Sequence, residues 1–165
     1  MQVGNTEHVF LFDMLTMPSI PKFDELMSEV FRSKTIVGMS FSSDIDALKK
    51  SFSTMEFFKV IPHLYDVQTI YAGLYGENEL GLAKITENVT KKKVCKVEQT
   101  GNWERRPLRP TQIHYSAMHS FILVHLYNVF VEEANKQKKN LNRYKTRYAK
   151  LSSEEITHDK VSHSD

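Results

Sequence analysis

The segment NWERRPL, residues 102–108, sets an indole beside two guanidiniums, Trp103 next to Arg105 and Arg106. A nucleobase can stack on such a ring while planar, permanently charged forks reach phosphate oxygens, so this trio suits a single-stranded nucleic acid. The same residues also have a plainer use, with Trp103 packing the loop onto the body and Arg106 pairing with a carboxylate. Asp44, in SFSSDID, stands where an apolar run gives way to a helical pattern. A helix start is a place where the helix dipole favours a carboxylate. The seven histidines are scattered, with no H-x-x-H or H-E-x-x-H spacing among them. The single cysteine, Cys95, excludes an internal disulfide and a multi-cysteine metal centre. Only basic neighbours distinguish it, and it reads as a structural thiol.

The chain around these residues has 165 positions, 41% apolar and 25% charged, which fits one soluble globular domain with room for a core. Ten Phe, seven Tyr and one Trp argue against a disordered chain. No run of apolar residues is long enough for a transmembrane helix, and MQVGNTEHVF lacks the basic and apolar regions of a signal peptide. A lone cysteine fits a reducing compartment, so the expected location is intracellular, nucleus or cytoplasm. Net charge is only +2, yet it is segregated. Residues 91–109 carry seven basic side chains against two acidic, and residues 132–150 repeat that balance. Such stretches are compatible with an anionic partner, nucleic acid first, or with a solvated face and tail.

Positioning must come from the elements between. HVFLFDML (8–15) and TIVGMSF (35–41) read as short buried strands, bounded by turn residues. PKFDELMSEVFR (21–32) has helical spacing with proline at its start, and a second helix runs from Ser42 or Ser43 to about Phe52. A short strand is expected near Leu64–Tyr65, a helix from Asp66 to Gly76, and another over 79–89. Residues 90–109 read as a basic loop, followed by a long helix from Pro110 to about Ala134. Strands alternating with helices indicate an α/β layered domain. Beyond residue 131 the pattern predicts a basic helical extension over the start of 132–165, ending in a disordered tail over the last fifteen residues.

Three stretches together resemble the ribonuclease D-like 3'–5' exonucleases, the tyrosine subclass of the DEDD superfamily. KVEQTGNWERRPLRPTQIHYSAMHSFILVHLY (96–127) is similar to the closing segment of that family, with Lys96, Trp103, Arg106, Pro107, Leu108, Gln112 and Tyr115 in matching places. VGMSFSSDIDAL (37–48) looks like the second motif, with Asp44 at the junction of strand and helix. MQVGNTEHVFLFDML resembles the hairpin that follows the first motif. The likeness covers residues 1 to about 131, and is nearest to the Werner-type and worm mutator-type members.

The resemblance implies a ribonuclease H-like mixed sheet flanked by helices, of strand order 3-2-1-4-5. It also implies magnesium or manganese held by four carboxylates, because two-metal phosphodiester hydrolysis needs carboxylates converging on both ions. Asp44 is the carried-over catalytic and metal-binding carboxylate, Tyr115 is the residue that orients the attacking water, and Lys96, Trp103, Arg105 and Arg106 are the expected nucleic-acid contacts. Two departures stand out. No Asp-x-Glu pair lies near the N-terminus, so the usual first, central strand is expected to be lacking and the chain reads as a piece of a longer protein. His119 occupies the place of the motif-three aspartate. Imidazole is a softer ligand suited to zinc, whereas magnesium prefers oxygen, so His119 reads as a residue of a decayed site. The expected function is therefore a nucleic-acid-binding 3'–5' exonuclease-type domain, inactive as written. The alternative is a pseudonuclease scaffold with protein partners, and a third reading is an active nuclease whose first motif lies elsewhere. No membrane role is expected.

Overall fold

The computed structural model describes residues 1–77 and 80–149. It opens with a hairpin, β1 (Gln2–Gly4) paired antiparallel with β2 (Val9–Leu11), Val3 opposite Phe10. The Asn5 side chain shapes the turn by accepting from the backbone N–H groups of Glu7 and His8, both at 2.8 Å. The strand expected over 8–15 is thus cut to three residues. Its end is set at Asp13, whose carbonyl accepts from Thr16 and Met17 and turns the chain into a single 3₁₀ turn.

Pro21 supplies the preset φ that begins α1 (Pro21–Ser33), which buries Phe23, Met27 and Phe31 at four-residue intervals. Strand β3 (Ile36–Gly38) feeds α2 (Phe41–Ser51), and β4 (Val60–Asp66) returns parallel to β3 with Val37 opposite Tyr65. Asp66 ends β4 and caps α3 (Val67–Tyr75), accepting from the Gln68 N–H at 2.9 Å. Gly76, at φ 69°, takes the left-handed conformation that ends the helix. Helix α4 (Leu82–Thr90) and the loop through Arg109 follow. The longest element is α5 (Pro110–Lys136), 27 residues that pack against β1, β2 and β3 and so underlie both sheets.

Strand β4 separates two apolar layers. Tyr65 joins Val67, Ile70, Ile85, Leu126 and Phe130 on one side. Ile61 and Leu64 join Phe23, Phe31, Ile45, Phe57 and Phe58 on the other. This is the α/β layering expected from the sequence. The strands form two separate sheets, the β1-β2 hairpin and one built on the parallel pair β3-β4, a division expected where a ribonuclease H-like sheet lacks its central strand.

The C-terminal part differs from expectation. The helix stops at Lys136, and β5 (Lys145–Ala149) adds antiparallel to β4 instead of extending the helix. The reason is backbone satisfaction: β4 has an open side, and its buried amides need a partner. Charged residue types such as those in KTRYA are tolerated on an edge strand. Residues 139–146 lock to the body through Lys139 Nζ donating to the Gly73 carbonyl at 3.0 Å and Tyr65 donating to Asn142 Oδ1 at 2.9 Å. Gly73 leaves room for the Tyr144 ring, which would have to shift from a Cβ placed there, at 2.3 Å. The expected disordered tail, 151–165, lies outside the described residues. Among the described residues no helix is long and apolar enough to cross a membrane.

Candidate functional site

The facing edges of the two sheets line a cavity of about 450 Å3. Gln2–Gly4 forms one wall and Ile36–Gly38 the other, while His119, Ser120, Leu123 and Val124 of α5 form the floor. Asp44, in the first turn of α2, reaches the same cavity. Asp44 and His119, far apart in sequence, are therefore brought together as the resemblance implies. Their surroundings act on both. The apolar wall raises the Asp44 carboxyl above its ordinary value and lowers the His119 imidazole below its own, in each case because desolvation disfavours the charged form. The site favours a neutral histidine.

Tyr115 lies one turn before His119 on α5, with ring centroids 4.4 Å apart, and Trp103 lies 6.0 Å beyond Tyr115. The three rings run in a row from the loop to the cavity. Burial raises the Tyr115 phenol above its usual range, so it stays protonated at neutral pH. Trp103 and Tyr115 thus connect to the cavity that Asp44 lines by way of His119.

Loop 98–109 is held by a polar network that the sequence reading did not foresee. Glu98 is buried, and its carboxylate accepts from Arg109 Nη2 at 2.7 Å and Thr111 Oγ1 at 2.6 Å. The hydrogen bond from Thr111, with that from Arg109 behind it, holds Glu98 below the usual carboxylate range. Trp103 Nε1 donates to the Glu98 carbonyl at 3.1 Å. Gln112, fully buried, accepts from the Arg109 N–H at 3.0 Å and donates to the Asn102 carbonyl at 2.9 Å. One signal was available: Glu98 is a carboxylate inside a stretch of seven cations.

The two arginines of the expected interface have separate tasks. Arg106 turns inward: Nε and Nη2 fork onto the two Asp13 oxygens, each at 2.6 Å, and Nη1 donates to the Trp103 and Arg105 carbonyls. Of the two uses that the sequence allows Arg106, the structure displays the carboxylate pair. Arg105 and Lys96 are exposed, and among the described residues neither makes an ion pair, nor do Lys92 and Lys93.

The donor set does not fit a pair of magnesium or manganese ions. Asp44 is the one carboxylate lining the cavity, which His119 also lines. Asp46 lies 4.0 Å from Lys49, and Asp66 is used as a cap. Among the described residues no group of three His, Cys, Asp or Glu side chains is placed to hold a metal ion.

Comparison with known proteins places this geometry. A family model described as 3'–5' exonuclease matches residues 1–135. The Drosophila melanogaster exonuclease mut-7 homolog is 26% identical over 153 residues, covering 82% of this chain and 24% of its own length. The chain thus spans 24% of that relative. The crystal structure of the Aedes aegypti Nibbler EXO domain superposes with a TM-score of 0.71 at 22% identity, over 86% of this chain and 73% of that one. Escherichia coli RNase D, an exoribonuclease involved in structured RNA processing, superposes with a TM-score of 0.67 at 23% identity, over 83% and 35% of the two chains. These likenesses show the fold, and the family match extends it along the chain. The chain belongs to the 3'–5' exonuclease family that this family model describes.

Proposed function

We propose that this domain binds single-stranded nucleic acid through its basic loop and does not, by itself, hydrolyse it from the 3' end. The observation that carries the reading is the lining of the cavity, where Asp44 is the single carboxylate and His119 the imidazole, one carboxylate where the reaction of the family needs several. Divalent metal ions would supply charge to the attacking and leaving oxygens. One carboxylate and one neutral imidazole cannot balance two such ions. What remains is recognition. Lys96 and Arg105 are open to solvent on the loop, beside the Trp103–Tyr115–His119 row of rings. Exposed cations next to aromatic faces are what a single strand requires.

The test is a salt titration of binding to single-stranded RNA and DNA oligonucleotides. Each phosphate contact to a single strand contributes about 0.7 to the log–log slope. Replacing both Lys96 and Arg105 with Ala should weaken binding and flatten the slope by about 1.4. Absence of binding at low salt would overturn the reading in favour of a scaffold for protein partners.

A further inference from the structure

A second concavity, a groove of about 1160 Å3, lies on the outer side of α5. One wall is the end of α4 with residues 92–98, and the other is an α5 stripe of Met118, Phe121, Ile122, His125 and Val129. The stripe follows helical spacing and yet is left open, with Phe121 46% exposed. Across from it Val97 is 81% exposed. The Phe121 and His125 rings lie parallel, at an interplanar angle of 3° with centroids 6.2 Å apart. Together they present a pair of parallel ring faces. Lys92 and Lys93 stand on the rim, unpaired among the described residues. The one carboxylate in the lining, Glu98, is already engaged by Arg109 and Thr111. At one end the groove includes Tyr115, whose ring touches His119 of the other cavity.

We propose that this groove is the track of a single nucleic-acid strand, with unstacked bases against the Phe121–His125 ring pair and phosphates along Lys92 and Lys93. The inference rests on the nucleic-acid reading above and adds the path. Charge and shape both select this occupant: the rim is cationic, the only acid is neutralised, and the floor offers ring faces to which any base can stack. A strand lying there would bring its end past Tyr115 towards the Asp44–His119 cavity. The bases, and not the phosphates alone, should then contribute to affinity.

The probe is an oligouridylate compared with an abasic strand of equal length, each titrated against salt. Wild-type protein should bind the oligouridylate more tightly than the abasic strand. The double variant Phe121→Leu with His125→Gln should lose that preference, by about tenfold or more, with its salt slope unchanged. Both positions are exposed, so an unaltered thermal midpoint serves as the folding control. Lys92→Ala with Lys93→Ala should instead flatten the slope by about 1.4 for both strands. If the ring variant binds oligouridylate as tightly as wild type while Lys96→Ala with Arg105→Ala still weakens it, the strand runs elsewhere. The track is then wrong and the nucleic-acid reading stands. If wild-type protein binds neither strand, both fall, and the groove is an apolar surface for a protein segment.

Discussion

Arg106 reaches back 93 residues to Asp13, placing two parallel N–H bonds of 2.6 Å on one carboxylate. The pair ties the loop before α5 to the turn after β2, the two pieces that flank the hairpin side of the fold. Hydrogen bonding from Arg106, above all, pulls the Asp13 carboxyl from 3.8 down to about 2. A carboxylate with a depressed folded value stabilises the protein above its unfolded value, and that contribution fades as pH falls towards the folded value. Arg106→Ala should therefore cost stability at neutral pH, and the gap to wild type should narrow between about pH 4 and pH 2. Urea midpoints at neutral and acid pH read it directly. A gap that is the same at both would show that the pair's charge is not what holds the loop.

Gln112 offers a sharper stability test, because it is fully buried and bridges Arg109 and Asn102 with both ends of its amide. Leucine at this position keeps the volume but strands a backbone donor and a backbone acceptor. Each unsatisfied buried group costs about 1–3 kcal/mol, so Gln112→Leu should lower the unfolding free energy by at least that amount. The same variant should make residues 98–109 more open to proteolysis. Unchanged stability with an intact loop would mean that water or a neighbouring side chain replaces the amide.

Much of this arrangement could be read from the residues, and the parts that could not share a cause. Helical spacing located α1 because it carries a one-sided apolar face, Phe23, Met27 and Phe31, and α5 by its length, since its apolar residues lie on more than one side. Asp44 and His119 could be paired from the motifs alone. Strand ends were poorly legible: Phe10 lies inside an apolar run and is 56% exposed, because the hairpin has one partner and one cavity side. Strand β5 was invisible, since KTRYA has no apolar face and owes its state to the open side of β4. For Arg106 the residues allowed a phosphate or a carboxylate partner without naming the carboxylate. A guanidinium's partner is chosen by three-dimensional proximity, and Asp13 is too distant in sequence to suggest itself.

Asp44 titrates in the opposite sense from Asp13. Its folded value is raised, so the ionised form is the costly one in the folded state, and the cost is present above that raised value. Asp44→Asn should thus stabilise the domain near neutral pH. The gain should vanish as pH falls below the ordinary value of 3.8, where the carboxyl is protonated in both states. Thermal midpoints of the two proteins across that range decide the matter. An asparagine variant that is less stable at neutral pH would mean the carboxylate has a stabilising partner.

Catalysis provides the last test. Two-metal hydrolysis stabilises charge on both the attacking and the leaving oxygen, and each ion needs its own share of carboxylates. The cavity offers Asp44 alone, with His119 held towards its neutral form by burial. We predict no stepwise shortening of a 5'-labelled single-stranded oligonucleotide in magnesium or manganese. His119→Asp raises the carboxylate count in the cavity from one to two and should still give no ladder, since two carboxylates remain too few for two ions. That variant introduces a second anion into the cavity that Asp44 lines and should push the Asp44 carboxyl further up, a change that a pH titration of stability would register even with no activity. A metal-dependent ladder from the unmodified chain, abolished by Asp44→Ala, would show that the ligand set extends beyond the residues lining this cavity.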